Sequence, residues 1–135
     1  MALPQGNNPT VDGIWFRPRV INPDAVSGAT VPYNCKSVDV QTVVNDANDW
    51  IGLPTLADVP NGHVITICCN AGTNFEMRTP SASNEKINNV DADGTQEYLC
   101  TDTDVIRVVK MSSTAGWMGY SYTRLGAVRA AVIPD

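Results

Sequence analysis

Ten glycines and nine prolines punctuate the 135-residue chain at short intervals, leaving runs of strand length between turn signals. Within those runs the recurring residues are Val (16) and Thr (12), with 12 Asn and only five Leu. β-branched side chains are stiff about χ1 and fit a pleated sheet better than a helix. The composition predicts an all-β fold.

The alternation of apolar and polar residues locates the strands. Ser37 to Val43 sets Val38 and Val40 on one face, opposite Asp39 and Gln41. Asp49 to Leu53 is a second short run, and His63 to Cys69 reads as the best buried strand. Asn70-Ala71-Gly72-Thr73 then turns the chain into Asn74-Phe75-Glu76-Met77-Arg78, and this pair reads as a hairpin with a four-residue connection. Further strands are expected over Lys86 to Val90, Gln96 to Cys100, Val105 to Met111 and Trp117 to Thr123. In the last of these Met118, Tyr120 and Tyr122 share a face and Trp117 takes the other. Strands recurring every ~8–12 residues predict a jelly-roll-like β-sandwich or barrel.

The ends of the chain differ from its middle. Residues 1–35 hold five prolines and read as an extended arm before a sandwich domain over 36–124. Trp15 and Phe16 are neighbours in that arm and point to opposite sides of an extended chain. Both are covered only if the arm lies across a partner or folds back as an edge strand of its own domain. Residues 125–135 form an apolar tail rich in small side chains, either tucked onto the domain or shared between subunits.

Length and charge bound the function. One domain of ~100–150 residues fits the chain, and it can bury a core without a metal or a disulfide. No run approaches the ~20 apolar residues of a membrane-spanning helix. Met1 to Gly6 has neither a basic region nor an apolar core, so a soluble chain without a signal peptide is expected. The formal net charge is −5, and the basic residues are scattered apart from Arg17 and Arg19. That distribution argues against nucleic acid, whose binders carry a basic stripe.

Candidate chemistry is sparse. Cys35, Cys68, Cys69 and Cys100 lack Cys-x-x-Cys spacing, and the adjacent Cys68 and Cys69 face opposite ways, so reduced core-filling thiols are expected. His63, the single histidine, opens a strand after Asn61-Gly62, where a solvated or hydrogen-bonded ring is expected rather than a catalytic one. Asp91, Asp93 and Gly94 resemble the start of a calcium loop, with Asp102 and Asp104 in the next turn. Without a third ligand and a downstream Glu at the right spacing, turn chemistry accounts for them and no metal is assigned. Trp117, Tyr120 and Tyr122 offer packing residues or, alternatively, a sugar-binding face. An enzyme acting on cell-wall sugar would need two carboxylates at a cleft, with Glu76 and Glu97 as the candidates. No catalytic set and no cofactor is assigned, and the chain is read as a non-enzyme.

Residues from about Asn48 to Val128 resemble a β-rich module of tailed-bacteriophage virion proteins. The residues that carry the resemblance are Asp49-Trp50-Ile51-Gly52-Leu53-Pro54, His63 to Ile67, Asn70-Ala71-Gly72 and Phe75 to Pro80. Ile87-Asn88, Asp93-Gly94-Thr95, Val105 to Lys110, Gly116-Trp117 and Leu125 to Val128 continue it. Such modules are similar to head-decoration, head-fibre and tail-fibre proteins. The resemblance implies a structural role in the virion, with no catalytic residues to carry over. The short chain lacks the long repeats of a fibre, so it is closer to a capsid decoration, or cement, protein. That implies the major capsid protein of a tailed phage as partner, a homo-oligomer (a trimer), synthesis in the host cytoplasm, and residence on the outer capsid surface. Trp15, Phe16, Arg17 and Arg19, with Val128 and Ile133 of the tail, are the expected contact residues. The alternative is a fibre or adhesin module that binds a host surface glycan.

Overall fold

The structure, a computed structural model, describes residues 19–23, 28–43, 49–80, 84–91, 97–112, 116–123 and 128–131. Among the described residues twelve strands run in chain order: β1 (Arg19–Val20), β2 (Ala29–Thr30), β3 (Ser37–Val40), β4 (Trp50–Gly52), β5 (Val64–Cys69), β6 (Phe75–Arg78), β7 (Lys86–Ile87), β8 (Val90–Asp91), β9 (Tyr98–Cys100), β10 (Val105–Ser112), β11 (Gly116–Tyr122) and β12 (Val128–Ala131). They form a large sheet of order β1-β3-β5-β10-β11-β7-β8, with β12 also on β11, and a small sheet of order β2-β4-β6-β9. The all-β expectation holds.

The direction of the strands could not be read from their alternation. Up to β6 the chain crosses from the large sheet to the small one and back, moving one place along both sheets each time. Neighbours are therefore parallel, β1 with β3 and β3 with β5 on one side, β2 with β4 and β4 with β6 on the other. Jelly rolls pair antiparallel strands, whereas this first half is a two-sheet coil of three turns. Asn70–Asn74 is accordingly a corner between sheets, which corrects the expected hairpin of β5 with β6. A fourth pair runs in reverse, with β9 antiparallel to β6 and β10 antiparallel to β5.

One core fills the space between the sheets. Val38, Val40, Ile65, Ile67, Ile106 and Val108 face inward from the large sheet, and Ile51, Phe75, Met77 and Cys100 from the small one. Trp117 is 1 % exposed and packs inward, as its place opposite Met118 and Tyr120 requires.

Within the proline-rich segment the described residues take the edge-strand placement. β1 lies along β3, and Asn22 Oδ1 accepts the N–H groups of Gln41 and Thr42 at 2.9 and 3.1 Å. β2 lies along β4, and Val31 and Cys35 enter the core. In the tail, β12 pairs antiparallel with β11.

The single strand expected over Lys86 to Val90 is two short ones, folded at Asn88-Asn89. Both asparagines have positive φ, 49° and 73°, as a two-residue type I′ hairpin demands. Asn88 then substitutes its side-chain amide for a missing strand residue. Its Nδ2 donates to Gly119 O at 2.9 Å and its Oδ1 accepts from Gly119 N at 3.2 Å, extending the β7–β11 ladder.

A buried cation fixes the long connection from β4 to β5. Lys110 alternates inward on β10 and is 6 % exposed. Its Nζ donates to Leu56 O and to Val59 O, the latter at 2.6 Å. These carbonyls belong to the 3-10 turn Leu56–Asp58 and its end, where a positive charge is favoured. At the start of the turn Glu85 Oε1 accepts Leu56 N–H at 2.9 Å. The turn is clipped between an anion and a cation in the sense its dipole favours.

Two substitutions test these devices. Lys110→Met keeps the apolar stem but strands two carbonyls, and is expected to cost about 1–3 kcal/mol in a urea titration. Asn88→Ala loses both bonds to Gly119 and a residue tolerant of positive φ, and the same titration is expected to show a similar loss of ~1–3 kcal/mol.

Candidate functional site

Each sheet turns one face to the core and one outward, and the two outward faces differ in chemistry. On the large sheet the register aligns rows across β5, β10 and β11: Cys68–Val105–Tyr122, Thr66–Arg107–Tyr120 and Val64–Val109–Met118. Residues directly opposite each other share a face. Met111, Met118 and Tyr120 on this surface are 47, 37 and 41 % exposed. Arg107, in the middle row, is the one charged side chain in the grid. A contiguous apolar surface with Tyr, Met and a central Arg has the composition of a protein-contact patch.

The outward face of the small sheet carries ionised groups around Trp50. Gly28 leaves room for the indole: a Cβ there would come within 2.3 Å of the ring. The Arg78 guanidinium lies 3.6 Å from the ring centroid and its Nη1 donates to Glu97 Oε1 at 3.1 Å. Trp50 is thus packed against its own domain as a cation–π partner. A cavity of about 250 Å³ opens beside this stack, bordered by Thr30, Gly52, Thr55, Arg78 and Pro80.

Glu76 and Glu97 come together on this face. Burial raises the Glu76 carboxyl above its ordinary range, the neighbouring Glu97 and Asp49 act in the same direction, and Arg78 opposes them. Glu97 anchors Arg78 over the Trp50 ring.

The other candidate residues have structural partners. His63 is 7 % exposed, so it is not solvated, and its Nε2 lies 3.1 Å from Cys35 O. Burial lowers its pKa from the ordinary 6.5, the Cys35 carbonyl opposes this, and Lys36 adds to the lowering. Asp102 serves the corner: its Oδ1 accepts Gly72 N–H at 2.9 Å, while its own N–H reaches Asn74 Oδ1 at 3.0 Å. Asp91 ends β8 opposite Lys86, and Asp93 lies outside the described residues. Among the described residues no three His, Cys, Asp or Glu side chains gather as a metal site.

Of the expected contact residues, Arg19 is exposed on β1 and Val128 opens β12 opposite Tyr122. Trp15, Phe16, Arg17 and Ile133 lie outside the described residues. The row of Met118 and Tyr120 with Val109 and Arg107 was not singled out as a contact surface from sequence. The signal was present, because Val105, Val109 and Met111 on β10 and Met118, Tyr120 and Tyr122 on β11 put apolar residues on the face away from the buried one.

A pH titration tests the buried imidazole. His63 has a lowered folded value, so its contribution to stability is present above the ordinary 6.5 and is lost as pH falls through the lowered value. The urea midpoint is expected to drop on acidification below about pH 6.5 by more in the parent than in His63→Gln. Glu76, raised in the fold, acts with the opposite sign, so the difference between the two proteins is the quantity to read.

Compared with protein-family models, with curated proteins and with solved structures, the chain matches none.

Proposed function

We propose that this chain is a structural protein of a tailed-phage virion, one that binds the outside of the assembled head and stabilises it as a decoration or cement protein. The observation that carries this reading is the outward face of the large sheet. Val64, Val109, Met111, Met118 and Tyr120 around Arg107 make a surface suited to packing on another protein. Tyr and Arg are enriched where interfaces concentrate their binding energy. The chain works by burial. A protein that binds only the assembled lattice of the major capsid protein shifts the equilibrium toward that lattice by mass action. Self-association into a trimer brings several weak capsid contacts into one unit, which raises avidity without new chemistry. Trp15, Phe16, Arg17 and Arg19 at one end and Val128 and Ile133 at the other supply additional contacts.

A second reading, a fibre or adhesin module for a host glycan, is favoured by one feature. The cavity beside Trp50 offers Thr hydroxyls and Arg78 to a small polar ligand. Its cost is that the Trp50 ring is already engaged by Arg78.

The test is native mass in the presence of reductant and EDTA. A trimer is expected for the parent, and Tyr120→Asp is expected to weaken assembly by roughly 30-fold or more while leaving the unfolding midpoint nearly unchanged. A parent protein that stays monomeric at all concentrations, together with binding on a glycan array that Arg78→Ala abolishes, would overturn the capsid reading in favour of the adhesin.

A further inference from the structure

The turn that leads into β5 holds the single Asn-Gly step of the chain, Asn61-Gly62. Both residues are exposed, and a Cβ at Gly62 would meet nothing within 4 Å, so water and base reach the peptide bond between them. An asparagine followed by glycine is the pairing most open to cyclisation. The amide nitrogen of the second residue is the nucleophile and the asparagine Cγ the electrophile, and glycine has no side chain to obstruct the approach.

The folded turn withholds what this reaction needs. Asn61 keeps a negative φ, Gly62 takes +78 to +83° territory at φ 83°, and His63 N–H donates to Pro60 O at 3.1 Å, which together make a type II turn. The first central residue of such a turn has a ψ of about +120°. Ring closure needs Gly62 N beside the Asn61 Cβ about the Cα–C bond, and this ψ carries it to the far side. The Gly62 N–H is also in use, donating to Lys110 O at 2.7 Å. Lys110 holds the rest of the segment as well. Its N–H donates to His63 O at 2.9 Å and its Nζ donates to Val59 O at 2.6 Å. One residue of β10 therefore pins positions 59, 62 and 63, on both sides of Asn61.

We propose that Asn61 is a deamidation site latched by Lys110, which reacts only when the segment from Val59 to His63 lifts off β10. Once it lifts, a solvent base takes the Gly62 N–H proton, the nitrogen closes on Cγ, and the side-chain nitrogen leaves as ammonia. Water then opens the cyclic imide. Attack at Cγ gives an ordinary aspartate. Attack at the main-chain carbonyl gives an isoaspartate, whose backbone runs through Cβ and is one methylene longer. The net change is one water consumed and one ammonia released, with no oxidant or reductant. The longer backbone sets the Gly62 N–H out of register with Lys110 O, so the isoaspartate does not restore the latch. Opening permits the modification and the modification favours opening, so the change runs one way.

This inference is independent of the capsid reading and is tested on the full chain. When opening is fast relative to the chemistry, the rate follows the population of the open form. In mildly alkaline buffer, peptide mapping by mass spectrometry is expected to find Asn61 converted at least ~10-fold more slowly in the folded protein than in the chain held in urea. Folded Lys110→Met is expected to convert roughly 10-fold faster than folded parent. Hydrogen exchange at the Gly62 amide reads the same opening in the parent without a substitution, and protection there is expected. The isoaspartate fraction, separated by ion exchange, is expected to unfold at a lower urea concentration than the parent, while Asn61→Ser aged in the same way keeps its midpoint. Equal rates at Asn61 in folded and unfolded chains, an unprotected Gly62 amide, a folded Lys110→Met no faster than the parent, or an isoaspartate form with the parent's midpoint would each overturn the proposal.

Discussion

Strand β5 has to satisfy two different hydrogen-bond ladders at once, and the rest of the architecture is arranged around that requirement. On one edge Thr66 to Cys69 match Ser37 to Val40 in parallel, and on the other Val64 to Cys68 match Val109 to Val105 in antiparallel. Both of its edges therefore carry a ladder, from Thr66 to Cys69 on one side and from Val64 to Cys68 on the other. Ile65, Ile67 and Cys69 meanwhile enter the core from the inner face. A strand paired on both edges and buried on one face is the point where a wound coil and an antiparallel meander can be joined without a seam.

Electrostatics in the interior follow from the same economy. Lys110 occupies an inward position that Ile106 and Val108 fill elsewhere on β10, and a buried ammonium is tolerable only when its protons are used. The carbonyls of the 3-10 turn use them, and Glu85 completes the arrangement from the other end. Position 110 therefore specifies where the long connection between β4 and β5 lies. On the outer face of the small sheet the logic repeats with Trp50, Arg78 and Glu97, where the charge is held by an aromatic ring and a carboxylate instead.

Much of this was legible in the residues, and the boundary of what was not has a physical basis. The runs at Val64–Cys69, Val105–Ser112 and Gly116–Tyr122 announce themselves because each is buried on one face, which imposes a period of two. The same signal placed Met118 and Tyr120 together and sent Trp117 inward. Period two carries no information about direction, so the parallel coil was invisible, and a corner at Gly72 has the same composition as a hairpin turn. β2 is two residues long and is defined by its neighbour β4 rather than by any pattern of its own. Glu76 and Glu97 were legible as carboxylates of interest, but their meeting with Arg78 depends on the β6–β9 register. Lys110 and Asn88 act through atoms that no periodicity describes.

The winding of the first half has a consequence for how such a protein can vary. Each turn of the coil adds one strand to both sheets and meets the previous turn through the same kind of parallel ladder, as at β1–β3 and β2–β4. Among the described residues β1 and β2 are the first strands of their two sheets. Length in such a body is modular. Lengthening a corner leaves the ladders intact, adding a whole turn extends both sheets together, and inserting a single residue within a strand reverses the facing of everything beyond it. Variants of this architecture should therefore differ by corners and by complete turns, with the reversed pair β9 and β10 as the fixed terminus against which the turns are counted.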